Sequence, residues 1–493
     1  MSDTSDTSAK SADRLSFGIK LSWGAGALGA AVLMNSVSVL IVYYLARIVG
    51  MESWIAGALL SLGRVLDAAN DPLMGWISDR TPPKYGGRRR PYLLIGAVLS
   101  AVSILILFNI PLRGSGIEVI VYVLLALLFF GIGYTVFNVP FIAMPAEMTG
   151  DYHERSSIHS FRVMFASVGM MIAFAGSGIL LGWLSNGTDA NGVQVNTAGD
   201  YAILSMIFGS IILVSMLVAW RGTRKAKVTQ RSTKQIPGRE QLKTFFSNKS
   251  FLTIIGVKAS QLIAVYASQT ATFFMVVEVL RRSSDQMALL SIPMVIVSII
   301  AAPILVRFSK RFGKRIGYMT SALFTCASYM SWIFSDPGEP EYMLAVRGAI
   351  LGVGFAGNVM FAMSMITDAM ELDTIKTGMN REGMYTAAFS FVEKSAGALG
   401  PAMVGAALSI AGFDKSADVN ADNYEAVRQA TLAGVAYIPS FFALLSVFIL
   451  SFYKLDEKTL QEARAQAALD ATPREEIKEK VREAEYLEGE NPA

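Results

Sequence analysis

The 493-residue chain holds one cysteine and two histidines, and only 17% of its residues are charged. A lone thiol, Cys326, excludes any disulfide within the chain. His153 and His159 offer no His/Cys metal cluster. No G-x-x-x-x-G-K-[ST] phosphate loop occurs, and no Ser/His/Asp arrangement appears, so neither ATP-driven pumping nor hydrolytic chemistry has its usual equipment. The first sixteen residues are rich in Ser, Asp and Thr and lack the apolar core of a signal peptide. The first apolar crossing is therefore expected to act as its own insertion signal. A soluble chain is usually about 25% charged. Here the deficit is filled by hydrophobic residues, 53% of the total, with a mean hydropathy of +0.45. The expectation is an all-α membrane protein that is not an enzyme and does not bind nucleic acid.

Read with a window of about 19 residues, the chain gives twelve apolar spans. They lie near 20–47, 54–78, 92–111, 117–146, 159–184, 200–220, 250–279, 286–307, 316–335, 341–367, 384–412 and 428–452. Prolines at 72, 140, 145, 293, 303, 401 and 439 predict kinked, closely packed helices. Cations cluster after span two (Lys84, Arg88, Arg89, Arg90), after span six (Arg221 to Lys243) and after span eight (Lys310, Arg311, Lys314, Arg315). The loop from Ser185 to Asp200 has no Lys or Arg. By the positive-inside rule both termini are cytoplasmic, with Arg281 and Arg282 a small violation. The basic run after span two is echoed after span eight; matching Arg88 to Lys314 gives 314 − 88 = 226 residues, near half the chain. Two pseudo-symmetric six-helix halves follow, 18–220 and 250–453, joined by a basic linker at 221–249. Residues 1–17 are expected to be a disordered cytoplasmic N-terminus, and 454–493 a charged, solvated cytoplasmic tail.

Span two breaks the apolar rule. Arg64, Asp67 and Asp71 fall at i, i+3 and i+7, which puts three charges on one helical face. Each costs roughly 2.5–3.5 kcal/mol at the centre of a membrane helix. A stripe so costly points to an ion or substrate site. The structural alternative is an ion pair in which Arg64 neutralises Asp67, which leaves Asp71 unexplained.

Several motifs carry a resemblance. Gly75, Asp79, Arg80 and Gly87 to Arg90, echoed at Lys310 to Arg315, resemble the signature loop of the major facilitator superfamily. Within it, Lys20 to Gly26, Arg64 to Trp76, Tyr134 to Phe141 and the Arg381-Glu382…Lys394 stretch resemble the glycoside–pentoside–hexuronide:cation symporters, of which melibiose permease is the best known. The likeness runs over about 18–453. It implies the major facilitator fold, alternating access governed by the loop Gly75, Asp79, Arg80, Arg88, Arg89, Arg90, and a cation site from Asp67, Asn70, Asp71 and Thr135. Those oxygens suit Na⁺, a hard ion; a carboxylate pair could also take H⁺, and Li⁺ is a third option. The resemblance also brings Lys394 close to that site.

The family's galactoside binders use an Asp in span one and another in span four; this chain has Ala31 and Asn138 there. That argues against a galactoside. With Arg64, Arg162, Lys394 and Lys258 kept, the cavity shifts toward acidic cargo, such as a uronide. Trp23 and Tyr134, with Asn138, complete the expected cargo residues. Animal sodium–lysolipid carriers resemble the same family, so an amphiphilic acid is an alternative cargo, and a receptor without transport is the alternative of another class. The expected assembly is a monomeric, cation-coupled importer of a small organic solute in the cytoplasmic membrane, with no cofactor beyond its coupling ion.

Overall fold

A computed structural model describes residues 15–82, 89–149, 152–189, 193–225, 248–377, 382–413, 423–455 and 457–471. Of the expected disordered segment 1–17, residues 1–14 lie outside the described residues, as do Arg88 and most of the linker, whereas Ser16 caps the first helix and Phe17 opens it. The described chain is helical, apart from one antiparallel bridge between Thr188 and Gln194. In the first half, α1 spans Phe17–Tyr43 and ends in a π-helical turn, Tyr44–Val49. It is followed by α2 (Ser53–Arg80), α3 (Arg90–Leu107) and α4 (Ile117–Ala143). Next, α5 runs Tyr152–Met171, a π turn Ile172–Gly176, then Ser177–Leu184, and α6 spans Ala198–Gly222.

The second half repeats this plan. It opens with α7 (Lys249–Phe274, then a π turn Met275–Val279), α8 (Met287–Phe312) and α9 (Lys314–Met330). Then come α10 (Tyr342–Thr377), α11 (Glu382–Ile410) and α12 (Tyr424–Leu432, a π turn Ala433–Tyr437, then Ile438–Ser451). A tail helix, α13 (Glu457–Ala471), closes the described chain.

Nine of these helices are long and apolar enough to cross a membrane. The other three long ones are α2, α9 and α11, and together they make up the twelve runs of the sequence reading. Helix α9 is 17 residues long. Helices α2 and α11 carry the buried charges described below, which is why composition alone passes them over. Pro72, Pro140, Pro293, Pro303 and Pro401 lie inside helices, as bilayer-buried bundles tolerate. Pro145 instead opens a short helix, Pro145–Met148.

The halves meet mainly at the end away from the chain termini. Apolar residues from the first half share one core with the far ends of the second: Phe273 to Leu280, Val404, Leu408, Phe413 and Val427 to Ala436. The terminal-side ends of the second half form a separate core around Phe251, Tyr318, Phe361 and Tyr385. Small residues let α2 and α11 touch at the far end. A Cβ on Gly57 would lie 2.5 Å from the Pro401 carbonyl, and Gly405 abuts Ser53. Ser53 also donates to the Phe413 carbonyl at 3.3 Å.

The repeat is visible in contacts, one residue out of the register read from sequence. Arg89 donates to the Ala143 carbonyl at the end of α4 at 2.5 Å, and Arg90 to the Arg224 carbonyl just past α6 at 3.0 Å. Lys314 pairs with Asp368 of α10 at 2.6 Å, and Arg315 donates to the Ser451 carbonyl at the end of α12 at 2.8 Å. The equivalent pairs are therefore Arg89 with Lys314 and Arg90 with Arg315, an offset of 314 − 89 = 225. The sequence matched like with like in a run of three arginines. Arg88 lies outside the described residues, and the carbonyls that Arg89 and Arg90 reach tell those two apart.

Candidate cation and cargo site between the halves

The site begins with a helix face. Asp67 and Asp71 lie one turn apart on α2, toward α4, where Gly131 leaves room. A Cβ there would sit 3.3 Å from both the Cβ and Oδ1 of Asp67. One turn further along α4 comes Thr135. Its hydroxyl lies 2.7 Å from Asp67 Oδ1 and 2.9 Å from Asp71 Oδ1. From the other half, Lys394 of α11 brings its ammonium 2.7 Å from Asp67 Oδ2 and 2.7 Å from Asp71 Oδ2. It also donates to the Asp67 main-chain oxygen at 3.3 Å. All three of its N–H donors are thus used. Pro72 has no N–H for the Ala68 carbonyl, so the helix is weakened within this same turn.

Of the four expected ion ligands, Asp67, Asp71 and Thr135 converge. Asn70 is half-buried and forms no hydrogen bond to the cluster. Arg64 does not neutralise Asp67, as the ion-pair alternative required; Lys394 does that from the opposite half. The Arg64 guanidinium instead reaches α1, donating to Met34 Sδ at 2.7 Å and Ser38 Oγ at 2.6 Å, and lies 5.3 Å from the Tyr266 ring of α7. It is 4% exposed, and among the described residues it pairs with no carboxylate and its Nε has no partner. Among the described residues, no three His, Cys, Asp or Glu are grouped to hold a metal. The cluster is a two-carboxylate, one-hydroxyl site.

The expected cargo residues divide. Tyr134 sits beside the cluster, its ring 5.7 Å from the Lys394 ammonium. Arg162 and Asn138 are half-buried, and Arg162 lies within electrostatic reach of Tyr134. Lys258 is buried and donates to Gln261 at 2.6 Å. Trp23 is not part of this group: it is fully buried, stacks on Phe141 at 4.6 Å and donates to the Phe141 carbonyl. It packs the first half together. Of the expected switch-loop residues, Arg89 and Arg90 bind helix ends as above, Arg80 lies 4.2 Å from the Trp76 ring, and Gly75 has ordinary space around it. The Asp79 side chain and Arg88 lie outside what is described.

Sequence reading gives no role to one further group and places another at the membrane interface. One is Glu393, next to Lys394. The other is a far-side cluster in which the fully buried Glu278 of α7 meets Arg47 at 3.3 Å and accepts from Tyr43 at 2.8 Å. An acidic residue close to a helix end reads as an interface residue; only the docking of α1 on α7 buries it.

A family model described as MFS/sugar transport protein matches residues 22–457. The chain belongs to the MFS/sugar transport protein family. It is accordingly a multi-pass membrane carrier and not an enzyme. An uncharacterized symporter from Synechocystis is 25% identical, with 92% of this chain and 97% of that one covered. A glucuronide carrier protein homolog from Escherichia coli is 26% identical over 88% of this chain and 90% of its own. An isoprimeverose transporter from Lactiplantibacillus pentosus is 23% identical, covering 85% of each. Among solved structures, an inward-facing bacterial homolog of the human lysosomal transporter Spinster superposes with a TM-score of 0.63 at 15% identity, over 89% of this chain and 98% of that one. That likeness bears on the fold of this family member alone.

Proposed function

We propose that this carrier is a Na⁺-coupled symporter that imports a small sugar derivative, most simply a glycoside or uronide. One observation carries the reading. Two carboxylate oxygens and the Thr135 hydroxyl crowd within 2.9 Å, yet a hydroxyl has one proton to give. Lys394 neutralises one of the two carboxylates, and one negative charge is left over. A small monovalent cation bound by the same oxygens would balance it. The similarity to named symporters, a glucuronide carrier homolog and an isoprimeverose transporter supports the same reading.

In this reading Lys394 stands where the ion will bind, tying α11 to α2. An arriving Na⁺ competes with the ammonium for the carboxylates, so ion occupancy loosens a bond between the halves. With both termini in the cytoplasm of a cell bounded by this membrane, the far side is the outside and the chain faces inward. A membrane potential supplies about 2.3 kcal/mol per charge per 100 mV, enough to concentrate a solute some tens-fold at about 1.4 kcal/mol per decade. Arg64 and Arg162, which pair with no carboxylate among the described residues, favour a cargo with an acidic group.

Proton coupling is the second reading. Asn70 makes no hydrogen bond to the cluster among the described residues, which leaves fewer neutral oxygens already gathered for a metal. Uptake of isoprimeverose and of a glucuronide into vesicles, under imposed Na⁺, Li⁺ or pH gradients, tests both. Accumulation driven by Na⁺ supports the first reading, and accumulation driven only by external acid supports the second. Indifference to all three gradients would end the symport reading.

A further inference from the structure

Neighbouring residues on a helix point about 100° apart, so Glu393 and Lys394 serve different faces of α11. Lys394 shares its face with Ala398, Pro401 and Gly405, which meet α2; Ser61 donates to the Ala398 carbonyl. Glu393 shares its face with Gly397 and Gly400, which press on α7. A Cβ at Gly397 would come 3.0 Å from the Tyr266 ring, and one at Gly400 would come 2.5 Å from the Ala267 nitrogen. Toward the terminal side of Tyr266 along α7 stand Gln261 and Lys258.

These groups carry unmet chemistry. Lys258 is 5% exposed, and its ammonium bonds the neutral oxygen of Gln261 at 2.6 Å, with no carboxylate paired to it. Glu393 is half-buried and lies within electrostatic reach of Lys258, Tyr134 and Tyr266. In the described structure no hydrogen bond or ion pair takes up its oxygens. Buried charges without partners are costly, so an acid and an ammonium that stand between α11 and α7 within electrostatic reach but unpaired among the described residues are poised for a guest with both donors and acceptors. A polyol is such a guest: its hydroxyls donate to a carboxylate and accept from an ammonium.

We propose that Glu393 and Lys258 grip the hydroxyls of the cargo, the carboxylate accepting from them and the ammonium donating to them. This rests on the carrier reading above and narrows it: the cargo is polyhydroxylated, and a lipid-like acid does not satisfy this pair. One carboxylate from the opposite half thus stands in for the pair that Ala31 and Asn138 do not supply.

The test uses the full chain, purified in detergent with Na⁺ present, and titrates isoprimeverose, p-nitrophenyl glucuronide and lauric acid by calorimetry. Na⁺-induced thermal stabilisation is followed alongside. A sugar probe is expected to bind the wild type. Glu393→Gln should weaken that binding tenfold or more, Lys258→Gln should weaken it as well, and Glu393→Asp should fall between Glu393→Gln and wild type. Na⁺ stabilisation should survive in all three. Sugar binding by Glu393→Gln equal to wild type overturns the proposal while leaving the carrier reading intact. Joint loss of sugar and Na⁺ responses overturns it too, because Glu393 would then belong to the ion site. A wild type that responds to Na⁺ but binds lauric acid and neither sugar removes the polyol cargo from both readings.

Discussion

Two buried charge clusters join the halves, and each sets one cation against two acids. At the far end, Arg47 lies 3.5 Å from Asp189 and 3.3 Å from Glu278. Mid-molecule, Lys394 lies 2.7 Å from each of Asp67 and Asp71. The difference is where the acids come from. Asp189 and Glu278 belong to separate elements and flank the arginine from two directions, with Tyr43 adding a hydroxyl to Glu278. Asp67 and Asp71 stand a turn apart on one helix and are pressed together around Thr135, so they repel. Solvent reaches both alike: each cluster has one buried acid, Glu278 or Asp67, and one partly exposed acid, Asp189 at 18% or Asp71 at 23%. The far cluster reads as a latch and the middle one as a socket. The π-helical turns ending α1 and α7 bring the latch residues together at equivalent places in the two halves, and such turns often mark functional positions.

Substitutions can break this contrast. Asp71→Asn should have the largest effect. It removes the negative charge that Lys394 leaves unneutralised, and a hydrogen bond or contact to a charged group contributes about 1.5–3 kcal/mol, so Na⁺ affinity should fall by about 10- to 100-fold and gradient-driven accumulation should vanish. Na⁺ titration followed by thermal shift checks the first and vesicle uptake the second. Retained accumulation would mean that Asp71 is not in the socket.

Glu278→Gln should act on the latch and spare the ion. A hydrogen bond to a charged group contributes about 1.5–3 kcal/mol, so the population open at the far side should rise roughly tenfold or more while the Na⁺ response is kept. Thiol labelling of Ser53→Cys, in a chain whose Cys326 is replaced by Ser, reports that population. A loss of Na⁺ response instead would erase the distinction between the clusters.

Gly57→Ala should weaken far-side closure without touching a charge. Its new Cβ would lie 2.5 Å from a carbonyl on α11, which is backbone and cannot rotate aside. Overpacking of this kind costs about 1–3 kcal/mol, and the same labelling assay should show higher far-side access. Arg464→Ala marks the low end. Its pair with Glu371 is exposed on the tail helix, such pairs contribute about 0–1 kcal/mol, and melting temperature and uptake should barely move.

Much of the middle cluster was legible beforehand, because charges inside an apolar run are too costly to keep without use. Asp67 and Asp71 declared themselves by period alone, and Thr135 by family likeness. Arg64 shared their stripe and was grouped with them, yet its long side chain turns toward α1. Its partner was therefore assigned wrongly by the ion-pair alternative. Trp23 looked like a cavity ring and is a packing ring, since nothing in its own stretch reveals that Phe141 lies 118 residues away against its face. The one-residue slip in the repeat has a similar cause: three adjacent arginines are interchangeable until their carbonyl acceptors are known.

From composition and spacing came the membrane, the helical class, the two halves and the costly stripe on α2, since these depend on transfer energies and helical period. The docking of α11 on α2 and α7 lay beyond their reach. That packing set Lys394 on the aspartates and brought Glu393 within electrostatic reach of Lys258, because side chains hundreds of residues apart meet only when helices pack.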